Sequence, residues 1–333
     1  MMRDRAAEML RSGSVSKVLG WEKGEFAYDE TPAIFTSADE LCSDNELGGL
    51  VYDGFSSAML SKYLINATKK DKEGKAPKAL VFLKPCDSYS FAHLLKERKV
   101  ERENVYAVGV ECRGMLDIEK IRLKGAKSIK SVEESGDSVN VSSFAKDYTF
   151  PRGEVLLEKC VTCKGLDFKY CDEVIGGGNE INWNRLDRFA GVEMIEEMTP
   201  EERFNFWRGE LSRCIRCNAC RNACPVCSCN KCVFDNTDSG VQSKANADSF
   251  EENMFHIIRA FHVAGRCTDC GECSRVCPRN IPLQLLNRKF IKDIDALYGE
   301  YQAGEDIEQK SPLTDYQFGD AEPSVVYKRG GGV

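Results

Sequence analysis

Along the first half of the chain, hydrophobic and polar positions alternate between strand-like and helix-like blocks. The run Lys78-Ala-Leu-Val-Phe-Leu-Lys84 is short, apolar and rich in β-branched and aromatic residues, so it predicts a buried strand that ends at Pro85-Cys86-Asp87. Residues 88 to 98 place Phe91, Leu94 and Leu95 at helical spacing, and Val105-Tyr-Ala-Val-Gly-Val110 reads as a second strand running into Glu111-Cys112-Arg113. Strand, helix and strand form a βαβ unit, whose right-handed crossover makes the two strands parallel. Cys86 and Cys112 then both lie just beyond carboxyl ends, where open α/β sheets build their sites. A Gly136-Asp137 turn between Ser128-Ile-Lys-Ser-Val132 and Ser138-Val-Asn-Val141 predicts a hairpin. The chain next reaches Cys160-Val-Thr-Cys163 and Cys171, and Gly176-Gly-Gly178 reads as a linker.

The second half reads as helical and repeats itself. Thr199-Pro200-Glu201-Glu202 is a capping box with proline at the first helical position, followed by an apolar stripe of Phe204, Trp207 and Leu211 that leads to Arg213-Cys214. Ser249-Phe-Glu-Glu252 is a second capping box, whose helix carries Phe250, Met254, Ile257, Ile258 and Phe261 on one side and leads to Arg266-Cys267. Each half of the repeat is a capped helix, an arginine, and a cysteine run closed by proline. From Ser311 to Val333 no periodicity emerges, so this tail is expected to be extended or disordered. The expected domains are therefore an α/β unit with a mainly parallel sheet over 1–180, a helical unit over 181–300, and the tail over 301–333.

Composition narrows the chemistry. A chain of 333 residues has room for about two cores, and its 17 cysteines come with no cleavable leader pattern and no apolar run of bilayer length. A reducing cytoplasm is the expected location, and there dense cysteine points to metal ligands rather than disulfides. The formal charge of -7 and pI near 5.3 argue against a nucleic-acid partner. His93, His256 and His262 fall on predicted helices and read as structural or solvent-facing. Neither Gly48-Gly49 nor Gly176-Gly-Gly178 has the spacing of a dinucleotide loop.

The cysteine spacing carries the strongest signal. Cys214, Cys217, Cys220 and Cys224-Pro225 form CxxCxxCxxxCP, and Cys267, Cys270, Cys273 and Cys277-Pro278 form it again. Three thiolates two residues apart wrap one face of an iron-sulfur cube, while the fourth, turned by proline, reaches the other cluster. Crossing predicts Cys214, Cys217, Cys220 and Cys277 on one 4Fe-4S cluster and Cys267, Cys270, Cys273 and Cys224 on a second. The alternative, paired structural zinc sites, has no use for a third and fourth cysteine at this fixed spacing. Cys86, Cys112, Cys160 and Cys163 are candidates for a third cluster, against a reading as small buried hydrophobes. Cys42 and Cys171 fit that packing role. Cys227, Cys229 and Cys232 leave an extra metal, a redox-active thiol pair and packing all open. Forty-two residues with a capped helix separate Cys224 from Cys267, which resembles the α-helical ferredoxin domains of oxidoreductase complexes.

Lys84-Pro-Cys-Asp87, Val110-Glu-Cys-Arg-Gly114 and Cys160-Val-Thr-Cys163 with Asp172-Glu-Val-Ile-Gly176 together resemble the beta-subunit family of deazaflavin-reducing hydrogenases and formate dehydrogenases. The C-terminal motifs resemble the formate dehydrogenase branch and heterodisulfide-reductase-linked proteins. The resemblance implies a 4Fe-4S cluster at Cys86, Cys112, Cys160 and Cys163 and an FAD beside it, with no FAD-binding residue identified. Two features depart from it: the cluster motif that usually precedes the α/β domain in the hydrogenase branch is not found, and the usual Pro-Cys-Gln is Pro-Cys-Asp here.

The function expected is a cytoplasmic iron-sulfur electron-transfer subunit of an anaerobic oxidoreductase complex. It would relay electrons between a catalytic or bifurcating partner (hydrogenase, formate dehydrogenase or a heterodisulfide-reductase-like flavoprotein) and a flavin or soluble carrier. No catalytic residue stands out, so the chemistry belongs to a flavin or another subunit. The competing readings are a flavin-dependent deazaflavin or NAD(P) reductase in its own right, a ferredoxin-like subunit of a sulfite reductase, and a structural zinc protein.

Overall fold

The fold, taken from a computed structural model, is described for residues 1–43, 48–165, 167–176, 186–235 and 249–315, with side chains from residue 253 onward in the last segment. The described residues divide into two compact units. One comprises Met1–Arg188 and Ala223–Pro225; the other begins at Phe189 and omits those three residues.

The first unit is built on a six-stranded mixed sheet. Its strands are β1 (Lys17–Lys23), β2 (Glu30–Phe35), β3 (Leu50–Val51), β4 (Ala79–Leu83), β5 (Val105–Val110) and, last in the chain, Glu173–Ile175. β4 pairs in parallel with β1 and β5, and β5 in parallel with Glu173–Ile175, while β2 and β3 run antiparallel to β1. All five residues of β4 are buried, as expected of a strand covered on both faces. Burying each of its large side chains contributes roughly 1.5–3 kcal/mol, and they pack with Val18, Leu19, Trp21 and Phe91 in one apolar core.

The βαβ reading holds, with one correction. Pro85 does not simply stop the strand: it occupies the first turn of the helix Pro85–Lys96, where its missing N–H costs nothing. Cys86 therefore sits on a helix N-terminus immediately after β4, not on a loop. Asp87 follows it, fully buried, and its carboxylate accepts the Leu60 N–H at 2.6 Å and the Ser61 N–H at 3.3 Å.

The expected hairpin is present as β6 (Ile129–Ser135) and β7 (Ser138–Ser143), joined by Gly136-Asp137 with Gly136 at φ +58°. With β8 (Tyr148–Pro151) it forms a separate three-stranded antiparallel sheet, and the strand Glu173–Ile175 introduced above is β9. This small sheet packs through Val139, Val141 and Phe150 on a second core that includes Cys112 and Cys160.

In the second unit the regular elements among the described residues are helices: Ala190–Glu196, Pro200–Ser212, Ala219–Asn222, Ser249–Val263, Glu272–Arg275 and Leu283–Tyr298, with a 3-10 turn at Val233–Asp235. The Thr199 capping box forms as read, with the Thr199 hydroxyl accepting the Glu202 N–H at 3.3 Å and the Glu202 carboxylate accepting the Thr199 N–H at 2.8 Å. Of its stripe, Leu211 is buried and Phe204 is exposed. The side chains of the second capping box, Phe250 among them, lie outside the described residues, as do Gly177, Gly178 and 316–333.

The helix Ser249–Val263 departs most from expectation. Met254, Ile257 and Phe261 of the expected apolar stripe are exposed, whereas Phe255, His256, Arg259, Ala260 and Val263 are buried. Beyond Leu283–Tyr298, Tyr301 and Ala303 fold back onto Ile294. Among the described residues no helix is long and apolar enough to cross a membrane.

Candidate metal centres

The two cysteine runs of the second unit share a backbone as well as a spacing. In the first, Arg216 and Asn218 have φ of +54° and +61°; in the second, Asp269 and Gly271 have φ of +56° and +71°. These are the same two positions of Cys-x-x-Cys-x-x-Cys, before and after the middle cysteine. L-residues with a side chain adopt this left-handed region at a cost. Its recurrence in both loops marks a conformation kept for what the loops hold. Each loop then enters a one-turn helix, Ala219–Asn222 or Glu272–Arg275.

Cys214, Cys217, Cys220 and Cys277 line one space, together with Arg216, Phe255, His256, Ile281 and Leu283. Cys277 thus joins the three thiols of the other repeat. Burial pushes the Cys220 thiol up, its neighbours Cys277 and Cys217 add to the rise, and Arg259 opposes it. The Arg216 N–H points at Cys214 Sγ at 3.3 Å. His256 is 1% exposed, and neither of its ring nitrogens has a hydrogen-bond partner among the described residues. Burial, with Arg259 and Arg216, pushes its pKa down to about 3. An orphaned buried imidazole beside four thiols is what a site completed by an anionic, sulfur-rich group leaves behind. The donor set fits a 4Fe-4S cluster.

In the second run Cys273 is buried and Cys267 and Cys270 are part-buried. Asn287 Nδ2 donates to Cys273 Sγ at 3.5 Å, and Asp269 is ion-paired with Arg288 at 2.8 Å and accepts from Gln284 at 3.1 Å. Cys224 is part-buried, as are Cys227 and Cys232, and Cys229 is exposed. Arg221 ties this segment together through Asp235 at 2.5 Å and through Cys232.

The first unit brings Cys86, Cys112, Cys160 and Cys163 into mutual electrostatic range. Each is placed by a different element: Cys86 by the helix after β4, Cys112 by the end of β5, Cys160 by the short helix Glu158–Val161, and Cys163 by the turn after it. Burial pushes the Cys160 thiol up to about 12, against the pull of Lys159, and it raises Cys86 and Cys112 as well. Met115 N–H donates to Cys160 Sγ at 3.3 Å. Two buried thiols, Cys112 and Cys160, and two part-buried ones, Cys86 and Cys163, with the Lys84 and Lys159 side chains nearby, fit a cluster that takes them as thiolates.

Sequence reasoning missed those two lysines. Lys84 is fully buried, with Nζ donating to the carbonyls of Ser56 and Ala58 at 2.5 and 2.8 Å and lying 4.2 Å from the Trp21 ring centroid. Lys159 is 8% exposed and donates to the Ser57 carbonyl at 3.3 Å. A lysine closing an all-apolar strand, and another preceding CxxC, were the available signals. Tyr52 was also missed. Its hydroxyl donates to the Glu111 carbonyl at 2.6 Å, and burial, with Cys112 and Cys86 near, pushes its pKa well up.

Beside these thiols a cavity of about 510 Å3 opens at the carboxyl ends of β5 and β9, lined by Tyr52, Asp53, Gly54, Glu111, Arg113 and Arg152 among others. Arg152 holds its wall, pairing with Glu134 at 2.6 Å and donating to the Gly114 carbonyl at 2.8 Å. Gly176, at φ +112°, closes the wall against Glu111: a Cβ there would meet Glu111 Cβ at 2.8 Å.

Of the remaining candidates, Cys42 is exposed rather than packed, because it caps the short helix Ala38–Leu41. Cys171 packs against the main core. His93 is buried and bonds Glu97 at 2.9 Å, a structural role, and His262 faces solvent. His256 is neither solvent-facing nor hydrogen-bonded among the described residues. Among the described residues no three Cys, His, Asp or Glu side chains close on a single ion-sized point.

Comparison with known proteins finds the following similarities. Residues 210–281 match the family described as a 4Fe-4S dicluster domain. The chain is 25% identical over 351 aligned positions to the F420-dependent formate dehydrogenase subunit beta of Methanocaldococcus jannaschii, covering 85% of this chain and 86% of that one. It is 24% identical over 326 positions to the F420-dependent formate dehydrogenase 1 subunit beta of Methanococcus maripaludis, covering 77% and 78%. A chain of the F420-reducing NiFe hydrogenase complex from Methanosarcina barkeri aligns in structure with a TM-score of 0.38 and 12% identity, over 65% of this chain and 86% of that chain.

Proposed function

We propose that this chain, an iron-sulfur electron-transfer subunit related to formate dehydrogenase beta subunits, relays electrons between a catalytic partner subunit and a flavin in its α/β unit, from which a soluble deazaflavin is reduced. The observation that carries the reading is the four-thiol group Cys86, Cys112, Cys160 and Cys163 next to the 510 Å3 cavity. Its volume is that of a cofactor site, and its position at parallel-strand carboxyl ends is where such sites form. The names of the relatives supply the deazaflavin F420 as the carrier.

When bound, the clusters pass single electrons and a flavin couples them to two-electron chemistry. The ligand sets proposed are Cys214, Cys217, Cys220 and Cys277; Cys267, Cys270, Cys273 and Cys224; and Cys86, Cys112, Cys160 and Cys163. In the helical unit, the left-handed loops supply three thiolates each. In the α/β unit, Lys159 opposes the rise of the Cys86 and Cys160 thiols, and Lys84 opposes it at Cys86 and Cys112, while burial pulls the Lys84 pKa itself below its ordinary value. Asp87 anchors residues 60 and 61 so that the Ser56 and Ala58 carbonyls stay on Lys84. The Asp in Pro-Cys-Asp is therefore a fold residue, and its replacement of Gln does not touch the thiols. Tyr52 lines the cavity and lies in electrostatic range of Cys112 and Cys86.

The test is to replace Cys86 and Cys112 together by serine in the anaerobically purified protein. Wild type should hold about eight to twelve irons, and the double variant should lose about four, one cube, with both C-terminal clusters intact by paramagnetic resonance. Bound flavin should be reduced by F420H2 in the wild type and not by NADH. Unchanged iron in the double variant would reduce the first unit's cysteines to packing.

A further inference from the structure

The two cysteine loops match in backbone and differ in charge. The left-handed position before the middle cysteine is Arg216 in the first loop and Asp269 in the second. Arg216 is 8% exposed, with its guanidinium 4.2 Å from the Phe255 ring centroid, and it lines the space enclosed by Cys214, Cys217, Cys220 and Cys277. Arg259, 1% exposed, follows His256 by three residues on the same helix, so the two share a face, and it acts electrostatically on Cys220. In the second loop Asp269 and Arg288, 1% and 3% exposed in their side chains, pair at 2.8 Å, and Cys273 receives the neutral amide of Asn287 at 3.5 Å.

We infer that Arg259 and Arg216 raise the reduction potential of the centre held by Cys214, Cys217, Cys220 and Cys277, making it the first of the dicluster pair to accept an electron and the resting place of charge in the relay. The inference rests on the ligand assignment proposed above. A cluster on four thiolates is negative when oxidised and more negative when reduced; the step takes up one electron from the neighbouring donor, makes or breaks no bond and requires no proton. Fixed buried cations favour the more negative state, and the low dielectric of a buried site magnifies the effect over that of a surface charge. The salt-bridged pair at Asp269 offers its centre no comparable net charge. Arg259 is thus a positioning residue for charge rather than a ligand, which is why a helix read as amphipathic turns a basic side chain inward.

The experiment is a redox titration monitored by paramagnetic resonance on the anaerobic, cluster-loaded full chain, comparing wild type with Arg259→Gln, Arg259→Lys and Arg216→Gln. Arg259→Gln should keep its iron while its oxidised-to-reduced ratio at a fixed poise rises at least tenfold, equivalent to about 59 mV for one electron. Arg259→Lys should recover most of the wild-type midpoint. Should Arg259→Gln lose iron, Arg216→Gln provides the same measurement from the opposite wall. Equal midpoints in wild type and in a glutamine variant with full iron overturn the inference while leaving the ligand assignment intact. Unchanged iron and signals in Cys277→Ala overturn the assignment itself, and the inference with it.

Discussion

Glu30 and Asp53 meet carboxyl to carboxyl: their side chains share a hydrogen bond, Glu30 also accepts from the Ser56 hydroxyl, and Asp53 lines the large cavity at the end of the parallel sheet. Burial is the main reason the Glu30 pKa is pushed from 4.5 up to about 9, and Asp53 adds to it. The pair therefore holds a proton at neutral pH that the unfolded chain releases. The native state binds more protons than the unfolded state between those two values, so the stabilisation is complete below about pH 4.5 and is lost as pH rises through about 9. The expected result is a thermal midpoint that falls across that window in the wild type and falls less in Glu30→Gln. Parallel slopes for the two proteins would assign the titration elsewhere.

Asp87 makes a second stability prediction, independent of the metal. Its fully buried carboxylate accepts two backbone N–H groups, from Leu60 and Ser61. Asp87→Ala leaves both donors orphaned, at a cost of roughly 2–5 kcal/mol, whereas Asp87→Asn keeps one acceptor oxygen and should lose about half as much. Chemical denaturation under anaerobic conditions measures both. A loss below about 1 kcal/mol in the alanine variant would mean water replaces the carboxylate.

The parts of this structure legible in the sequence are those fixed by local pattern. An all-apolar run such as Ala79–Leu83 has few options other than a strand covered on both faces, and Thr199 with Glu202 specifies a helix start within four residues. The cysteine spacing was legible for the same reason, since a repeated loop needs only local geometry. What hydrophobicity could not reveal is which polar and basic side chains turn inward. His256 reads as structural or solvent-facing, and the helix's apolar side as Met254, Ile257 and Phe261 among others, because a scale of apolarity ranks those residues above His256 and Arg259. The structure inverts that order around the four-thiol space. Lys84 was hidden in the same way: a lysine at a strand end normally snorkels to water, and its burial rests on the carbonyls of Ser56 and Ala58 and the Trp21 ring, all distant in sequence.

The wiring of the two repeats gives the last prediction. Cys277 belongs by sequence to the run that begins at Cys267, yet it lines the same space as Cys214, Cys217 and Cys220, and its thiol is among those that raise Cys220. The cause is local: three residues rather than two separate Cys273 from Cys277, and Pro278 follows, so the chain leaves the Glu272–Arg275 turn before Cys277 and carries the thiol away from its own loop. In the anaerobic, cluster-loaded protein, Cys277→Ala should therefore damage the cluster of the first loop, while the Cys267 loop keeps its full paramagnetic signal. The loss is identifiable because the two centres differ in environment: one has Arg216 and His256 in its walls, the other a neutral Asn287 amide on Cys273. Loss of about four irons, with the remaining signal unchanged by Arg259→Gln, would assign that signal to the second loop and establish the crossing. Loss of the Cys267-loop signal instead would mean each run serves its own cluster, and the convergence of Cys277 on Cys214, Cys217 and Cys220 would then need another explanation.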